Sequence, residues 1–170
     1  MNSKAAISLV ELTVPTNVGT FIAHYSAKGL ACLDFPPARK QPSKVSNQKT
    51  SAQVRRWHRA TVAVVKRTLA GRTAGAPPPL DLSGGTEFQR KVWNAMKKIR
   101  VGRTQSYGEI ARAIGKPKAV RAVGGACGAN PIPVLIPCHR VLAANHKLGG
   151  FSGGLDWKRQ LLAREGVNVS

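Results

Sequence analysis

Acidic residues are scarce in this chain: seven Asp and Glu stand against 27 Lys and Arg, and the formal charge is +20 over 170 residues. A surface so one-sided gains affinity for phosphates through counterion release, without reading base sequence. Nucleic acid is the leading partner class; an acidic membrane or protein surface, or plain solubility, is the competing one. Long apolar runs are also missing. No segment approaches the length of a bilayer span, and the apolar stretch after Met1-Asn2-Ser3-Lys4, interrupted by Glu11, is too short for a signal sequence. The expectation is a soluble, cytoplasmic, nucleoid-associated protein (nuclear in a eukaryote). Cysteine is limited to Cys32, Cys127 and Cys138, an odd set without CxxC spacing, which excludes a disulfide framework or zinc knuckle and suits reduced thiols. The four histidines, His24, His58, His139 and His146, show no metal-ligand spacing. A site built from His24, Cys32 and His58 is geometrically possible but has nothing to recommend it, so no metal and no cofactor are expected. Aromatics are only 5%, and Trp57, Trp93 and Trp157 fall in separate segments, as core anchors do.

What is present builds an α/β (α+β) chain. A hydrophobic fraction of 42% supports the core of one ordinary domain or two small ones. Residues 5–14, 18–25 and 28–35 are short and rich in β-branched and aromatic side chains, with turn signals at 15–19 and Lys28-Gly29. They predict a small antiparallel sheet ended by Pro36-Pro37. The basic polar stretch from Ala38 to Thr50 reads as a loop or linker. Val54, Trp57, Val62, Val65 and Leu69 recur at roughly helical spacing from about Ser51, and Gly71 is a stop signal. The stiff run Ala74-Gly75-Ala76-Pro77-Pro78-Pro79-Leu80 then divides the chain. It separates a sheet-plus-helix N-terminal domain (1–73) from a mainly helical C-terminal domain (84–170) through a Pro-rich linker (74–83).

Thr86-Glu87-Phe88-Gln89 is a capping-box pattern opening a helix with Phe88, Val92, Trp93 and Met96 on one side. Ser106-Tyr107-Gly108-Glu109 is a second, opening a shorter helix with Ile110 and Ile114 inward and Gly115 as its stop. Pro117 suits the first turn of a third helix reaching about Gly128, and the pair has a helix-turn-helix silhouette. A last helix is expected from about Asp156 to Arg164. The third helix contains Gly124 and Gly125, each costing about 1 kcal/mol relative to alanine. Either another helix packs closely there, or the backbone must approach a ligand such as a phosphate strand or a narrow groove.

The chemistry centres on Val134-Leu135-Ile136-Pro137-Cys138-His139-Arg140-Val141. A thiol reacts as thiolate, a minor species at neutral pH unless a base lies within hydrogen-bond reach. His139 is the neighbour in sequence, and Glu165 is a carboxylate that orients it if the last helix packs behind the site. Adjacent side chains on a strand point to opposite faces, so a Cys–His contact demands a turn, for which Pro137 is suited. The alternative is a buried structural cysteine. Gly149-Gly150-Phe151-Ser152-Gly153-Gly154 is either a flexible turn or a wall whose amides face a flat ligand; it lacks the Gly-Lys-Ser/Thr ending of a phosphate loop.

Several of these pieces occur together in order: Thr86-Glu87-Phe88-Gln89-Arg90-Lys91-Val92-Trp93, Ser106-Tyr107, Arg121-Ala122-Val123-Gly124-Gly125-Ala126, Asn130-Pro131, Ile136-Pro137-Cys138-His139-Arg140-Val141, Ser152-Gly153-Gly154 and Leu161-Leu162-Ala163-Arg164-Glu165-Gly166. Over roughly residues 86–166 the chain resembles the O6-alkylguanine-DNA alkyltransferases, also called methylated-DNA–protein-cysteine methyltransferases. The N-terminal portion has no matching motif. The resemblance implies a ribonuclease H-like N-terminal domain and a winged helix-turn-helix-like C-terminal domain. It also implies direct-reversal DNA repair: one irreversible transfer of the alkyl group from O6-alkylguanine, and from O4-alkylthymine, in double-stranded DNA to Cys138 after base flipping.

The resemblance further implies a role for each residue. Cys138 is the nucleophile, and His139, held by Glu165, takes its proton through a water. Asn130 braces the turn before Cys138. Tyr107 helps rotate the phosphate and donates to the base, and Tyr107 or an amide near Ser152 stabilises the leaving guanine. Arg121 enters the duplex, with Ala122, Gly124, Gly125, Ala126 and Cys127 on the DNA side of the same helix. The main chain at Cys138 and Val141, with Phe151, Ser152 and Gly153, lines the base pocket. The protein is expected to act as a monomer that can pack cooperatively on DNA, without membrane partners. Three departures stand out. Some relatives carry zinc in the N-terminal domain, where Cys and His are few here. Cys127 replaces a larger apolar residue, as a second reactive thiol or as small groove-facing packing. Phe151 stands where many relatives have tyrosine. Readings of other classes are a non-catalytic lesion binder, a winged-helix regulator and a cysteine hydrolase.

Overall fold

The first strands place apolar side chains on alternate positions, as a sheet with one buried face requires. The computed structural model describes residues 9–36 and 50–169. β1 (Val10–Thr16), β2 (Gly19–Ser26) and β3 (Gly29–Asp34) form an antiparallel sheet in that order. Val14, Phe21, Ala23, Tyr25, Leu30 and Leu33 are buried in the core. Pro15, expected in a turn, belongs to β1 instead. An edge strand tolerates it, and β1 is an edge. The first residues of the expected first strand and the basic stretch Lys40–Lys49 lie outside the described residues.

α1 (Ala52–Leu69) is capped by the Ser51 hydroxyl, which accepts from the Val54 N–H. It buries Val54, Trp57, Val64, Val65 and Leu69. The Tyr25 hydroxyl donates to Thr61 at 2.8 Å and pairs with His58 Nδ1 at 3.1 Å, so β2 and α1 share a buried polar joint. The Pro-rich run is not a free spacer at its end. The Leu30 N–H donates to Pro79 and the Asp81 N–H to Leu30, both at 2.8 Å, adding a parallel bridge to the sheet.

Both capping boxes form, at Thr86 for α2 (Glu87–Met96) and at Ser106 for α3 (Tyr107–Ala113). α4 (Val120–Gly128) starts later than Pro117 suggests. Pro117 lies in the turn between α3 and α4, and Ala119 stands at the N-cap without a side-chain hydrogen bond. α5 (Leu155–Arg164) closes the chain. Two elements are absent from the sequence expectation. β4 (Gln105–Ser106) and β5 (Val141–Leu142) pair in parallel and tie the start of α3 to the segment after Cys138. One hydrophobic core runs from the sheet through all five helices. Among the described residues the fold is therefore mixed α/β, and no described helix is long and apolar enough to cross a membrane.

Candidate active site

At Pro137 (φ −79°, ψ 65°) the chain leaves extended geometry and enters a single 3-10 turn, Cys138–Arg140. Alternation across a strand no longer applies, and both Cys138 and His139 turn inward. Cys138 is only 4% exposed, and its sulfur accepts from Asn130 Nδ2 at 3.1 Å. The same nitrogen donates to the Ile136 carbonyl at 2.8 Å, while Asn130 Oδ1 accepts from the Ile132 N–H at 3.0 Å. One side-chain amide thus clasps the whole bend between α4 and Cys138. Within that bend Val134 is held at φ 74°, a region costly for a β-branched residue.

His139 is fully buried, with Nε2 2.9 Å from Glu165 Oε1. Arg140 donates Nε and a terminal nitrogen to the same carboxylate, each at 2.9 Å, and its other terminal nitrogen to the Ile99 carbonyl at 2.7 Å. Burial alone would raise the Glu165 carboxyl; hydrogen bonds and charge from His139 and Arg140 outweigh it and hold it at about 2. An ionised carboxylate can only accept, so His139 Nε2 carries the proton and Nδ1 the lone pair. Burial also lowers the His139 pKa, and Nδ1 has no hydrogen-bond partner among the described residues. The Cys138 thiol is pushed up by burial, opposed by Asn130, Lys158 and nearby backbone amides. At rest the site pairs a protonated thiol with a neutral imidazole.

The loop beside the site is held from two sides. Fully buried Lys158 donates its ammonium to the carbonyls of Val141 at 2.7 Å, Gly150 at 3.3 Å and Leu148, and burial lowers its pKa to about 8. The Val141 carbonyl is therefore already engaged. A Cβ on Gly149 would stand 2.8 Å from the Tyr107 hydroxyl, which burial keeps firmly protonated. A Cβ on Gly153 would come within 2.7 Å of the Phe35 ring. Phe151 packs edge-on against that ring at a centroid distance of 5.6 Å, and Phe35 in turn contacts Phe21 and Trp157. Ser152 is exposed. The N-terminal unit reaches the site twice more. The Leu33 N–H donates to Pro131 at 2.9 Å, and Arg164 donates to the Leu69 carbonyl at 3.0 Å, where Gly71 passes too close to the Arg164 backbone for any Cβ.

Known proteins resemble this chain in sequence and in fold. A family model for the DNA-binding domain of 6-O-methylguanine DNA methyltransferase matches residues 87–167. The methylated-DNA–protein-cysteine methyltransferase of Methanosarcina acetivorans is 60% identical over 82 residues, 48% of this chain and 53% of that protein. Its counterpart in Mycolicibacterium paratuberculosis is 59% identical over 86 residues, 51% and 52% of the two chains. The chain spans about half the length of these curated relatives. The crystal structure of Mycobacterium tuberculosis O6-methylguanine methyltransferase superposes at a TM-score of 0.71 with 35% identity, covering 93% of both chains. The chain belongs to the 6-O-methylguanine DNA methyltransferase family. A complex of the M. tuberculosis protein with DNA gives a TM-score of 0.70, again at 35% identity and with 90% of both chains covered.

In this member of the 6-O-methylguanine DNA methyltransferase family, α4 offers one bare face. Arg121, Ala122 and Gly125 are exposed, and a Cβ on Gly124 or Gly125 would meet nothing within 4 Å. Among the described residues no other helix packs closely enough to account for these glycines. Ala126 and Cys127 turn the other way, 3% and 7% exposed. The Ala126 carbonyl accepts from the Trp93 indole at 2.8 Å, and the Cys127 sulfur lies 3.5 Å from that of Met96. Both were expected on the groove side; the rotation of α4 puts them in the core. Burial pushes the Cys127 thiol up to about 12, so it is not a poised second nucleophile either. Arg140 and Lys158 are the functional residues that the sequence reading missed. Arg140 had no signal beyond standing next to His139. Lys158 had one, since Lys158, Leu161, Leu162 and Glu165 recur at helical spacing on one buried face of α5 and its cap.

Proposed function

We propose that the protein repairs alkylated DNA by direct reversal, moving the alkyl group of O6-alkylguanine, or of O4-alkylthymine, onto Cys138 once per molecule. The observation that carries this reading is the buried set Asn130, Cys138, His139 and Glu165, in which a protonated thiol shares a turn with an imidazole whose Nδ1 lone pair is unengaged. Relatives named methylated-DNA–protein-cysteine methyltransferases support it. In the proposed step a water relays the Cys138 proton to His139 Nδ1. The Nε2 proton stays on the bond to Glu165, whose charge stabilises the imidazolium. The thiolate attacks the alkyl carbon in line: the S–C bond forms as the C–O6 bond breaks. The electron pair remains on guanine, which takes a proton from the Tyr107 hydroxyl, and the proton held by the His139 imidazolium returns through water to restore Tyr107. The thioether left on Cys138 has no leaving route, so each molecule acts once.

A reactive carbon inside a base stack is out of reach, so the base must be flipped. The exposed glycine face of α4, with Arg121 at its start and a +20 chain around it, supports docking against the minor groove. In this reading α3 and α4 act as a winged helix-turn-helix, and Arg121 fills the space that the base leaves. Phe151, Ser152, Gly153 and the main chain at Cys138 and Val141 receive the base. The N-terminal domain is ribonuclease H-like and ends at the Pro-rich run, and the monomer packs cooperatively on DNA. The test is intact-protein mass after mixing with a duplex carrying a single O6-methylguanine, followed by peptide mapping. One methyl gain on Cys138, saturating at one per protein, is the expected result. Tight lesion binding with no gain on a reduced Cys138 would refute transfer and leave a lesion binder.

A further inference from the structure

The whole chain has seven acidic residues, and two of them meet a histidine and a cysteine on one patch of the N-terminal sheet. The strand register brings them there. Glu11 pairs with His24, and His24 with Cys32, so the three share a face across β1, β2 and β3. Asp34 follows two residues after Cys32 on that face. Ligand atoms of His24, Cys32 and Asp34 all lie within 4.8 Å of one another. His24 Nε2 is 2.8 Å from Asp34 Oδ2, and Cys32 Sγ is 3.5 Å from Asp34 Oδ1. The other ring nitrogen of His24 faces Glu11 Oε1 at 3.4 Å, and the imidazole is only 16% exposed.

We propose that His24 Nε2, Cys32 Sγ and an Asp34 carboxylate oxygen bind a zinc ion, with Glu11 orienting the histidine. Mixed nitrogen, sulfur and oxygen donors suit zinc, whereas magnesium and calcium take oxygen ligands. Zinc bonds of about 2.0–2.3 Å at tetrahedral angles separate ligand atoms by roughly 3.3–3.8 Å, so the present spacing needs only small shifts. The ion takes the place of the proton between His24 and Asp34 and of the Cys32 thiol proton. His24 Nδ1–H then donates to Glu11, the carboxylate–histidine–metal relation that fixes tautomer and ring orientation. Cys32 and Asp34 also line a cleft of about 680 Å³ shared with Phe35, Asn130 and Trp157, which leaves room for a water as fourth ligand. His58, grouped with His24 and Cys32 from the sequence, is instead bonded to Tyr25. Asp34 takes its part, and it directly precedes Phe35, on which the 151–153 loop rests.

The reduced full chain is titrated with Co²⁺ and read by absorption. One equivalent should produce a thiolate-to-cobalt charge-transfer band with the ligand-field bands of a four-coordinate ion, and Zn²⁺ should displace it. Cys32→Ser and His24→Gln should abolish the band, Cys127→Ser and Cys138→Ser should keep it. Glu11→Gln should keep the band but weaken binding about 10–100-fold. X-ray absorption on the unmutated, zinc-loaded protein does not depend on how variants fold and should show one sulfur at about 2.3 Å. A band that survives Cys32→Ser, a zinc shell without sulfur, or no binding by the unmutated chain would overturn the site.

Discussion

Replacing Glu165 by glutamine keeps the outline of the group between His139 and Arg140 but removes its charge and half of its accepting capacity. The native carboxylate accepts from His139 Nε2 and from two Arg140 nitrogens in a buried setting. A glutamine oxygen can stand at only one of the two carboxylate positions, Oε1 beside His139 Nε2 and a terminal Arg140 nitrogen, or Oε2 beside Arg140 Nε and the Gly102 N–H. It should stand at Oε2, because an amide NH₂ there would oppose two fixed donors, whereas at Oε1 it opposes one Arg140 donor and an imidazole nitrogen that can change tautomer. The amide NH₂ then faces His139 Nε2, which must accept, and the ring proton moves to Nδ1. The lone pair that the proposed step requires is gone. Breaking one side of a buried charge pair costs about 3–5 kcal/mol of stability, and loss of a general base lowers the rate about 10²–10⁴-fold. Single-turnover transfer from a free O6-alkylguanine base, measured beside thermal unfolding, reads both. The double variant Glu165→Gln, Arg140→Met should regain much of the stability, since no guanidinium is orphaned, but not the rate. A native rate in Glu165→Gln, or a rate that recovers in step with stability, would refute the lone-pair role of His139. The pH dependence has a definite sign. The folded Glu165 value of about 2 lies below the ordinary 4.5, so its stabilisation is complete above about pH 4.5 and is lost as pH falls towards 2. Glu165→Gln should lack that acid limb.

Cys138→Ser should abolish transfer and leave duplex affinity nearly intact, as measured by fluorescence anisotropy; a parallel loss of binding would contradict the division of roles. Arg121→Ala should slow repair in duplex DNA much more than reaction with the free base, and equal slowing would remove it from base flipping. Gly125→Ala should raise stability by about 1 kcal/mol in thermal unfolding, because its Cβ meets nothing, while weakening duplex binding. Unchanged DNA affinity in that variant would mean that this face of α4 is not the interface. Phe35→Ala should slow the free-base reaction with duplex affinity preserved, since it withdraws the support under Phe151 and Gly153; an unaltered rate would show that the loop holds itself.

Local chemistry made some of this legible in the sequence. Thr86 and Ser106 announce their helices because a capping box is made within four consecutive residues. Pro137 and the Cys138-His139 pair announce a turn for a similar reason. The start of α4 was misjudged because proline suits both a helix's first turn and a β-turn, and here the Ala119 N–H closes a turn onto Lys116 at 2.8 Å. The facing of α4 was unreadable for another reason: a run of alanine and glycine has no apolar contrast, and it is the distant Trp93 that fixes which side is inward. β4 and β5 are two-residue strands joined across the chain, so neither carries a period. Arg140, Lys158 and the Asp34 cluster depend on tertiary partners that no spacing rule connects.

The N-terminal unit grips the candidate site at three separate parts: Leu33 on the bend before Cys138, Phe35 under the 151–153 loop, and Leu69 at the end of the helix that leads into Glu165. In the proposed reaction the thiol, the pocket wall and the orienting carboxylate are thereby all referenced to one body to which no reacting atom is assigned. Relative displacements of about 1 Å between such parts can cost on the order of a hundredfold in rate. Sheet and α1 together therefore work as a jig for the site. Changes on most of their surface should register in melting temperature alone, whereas changes at those three grips should register in rate while every reacting residue remains in place.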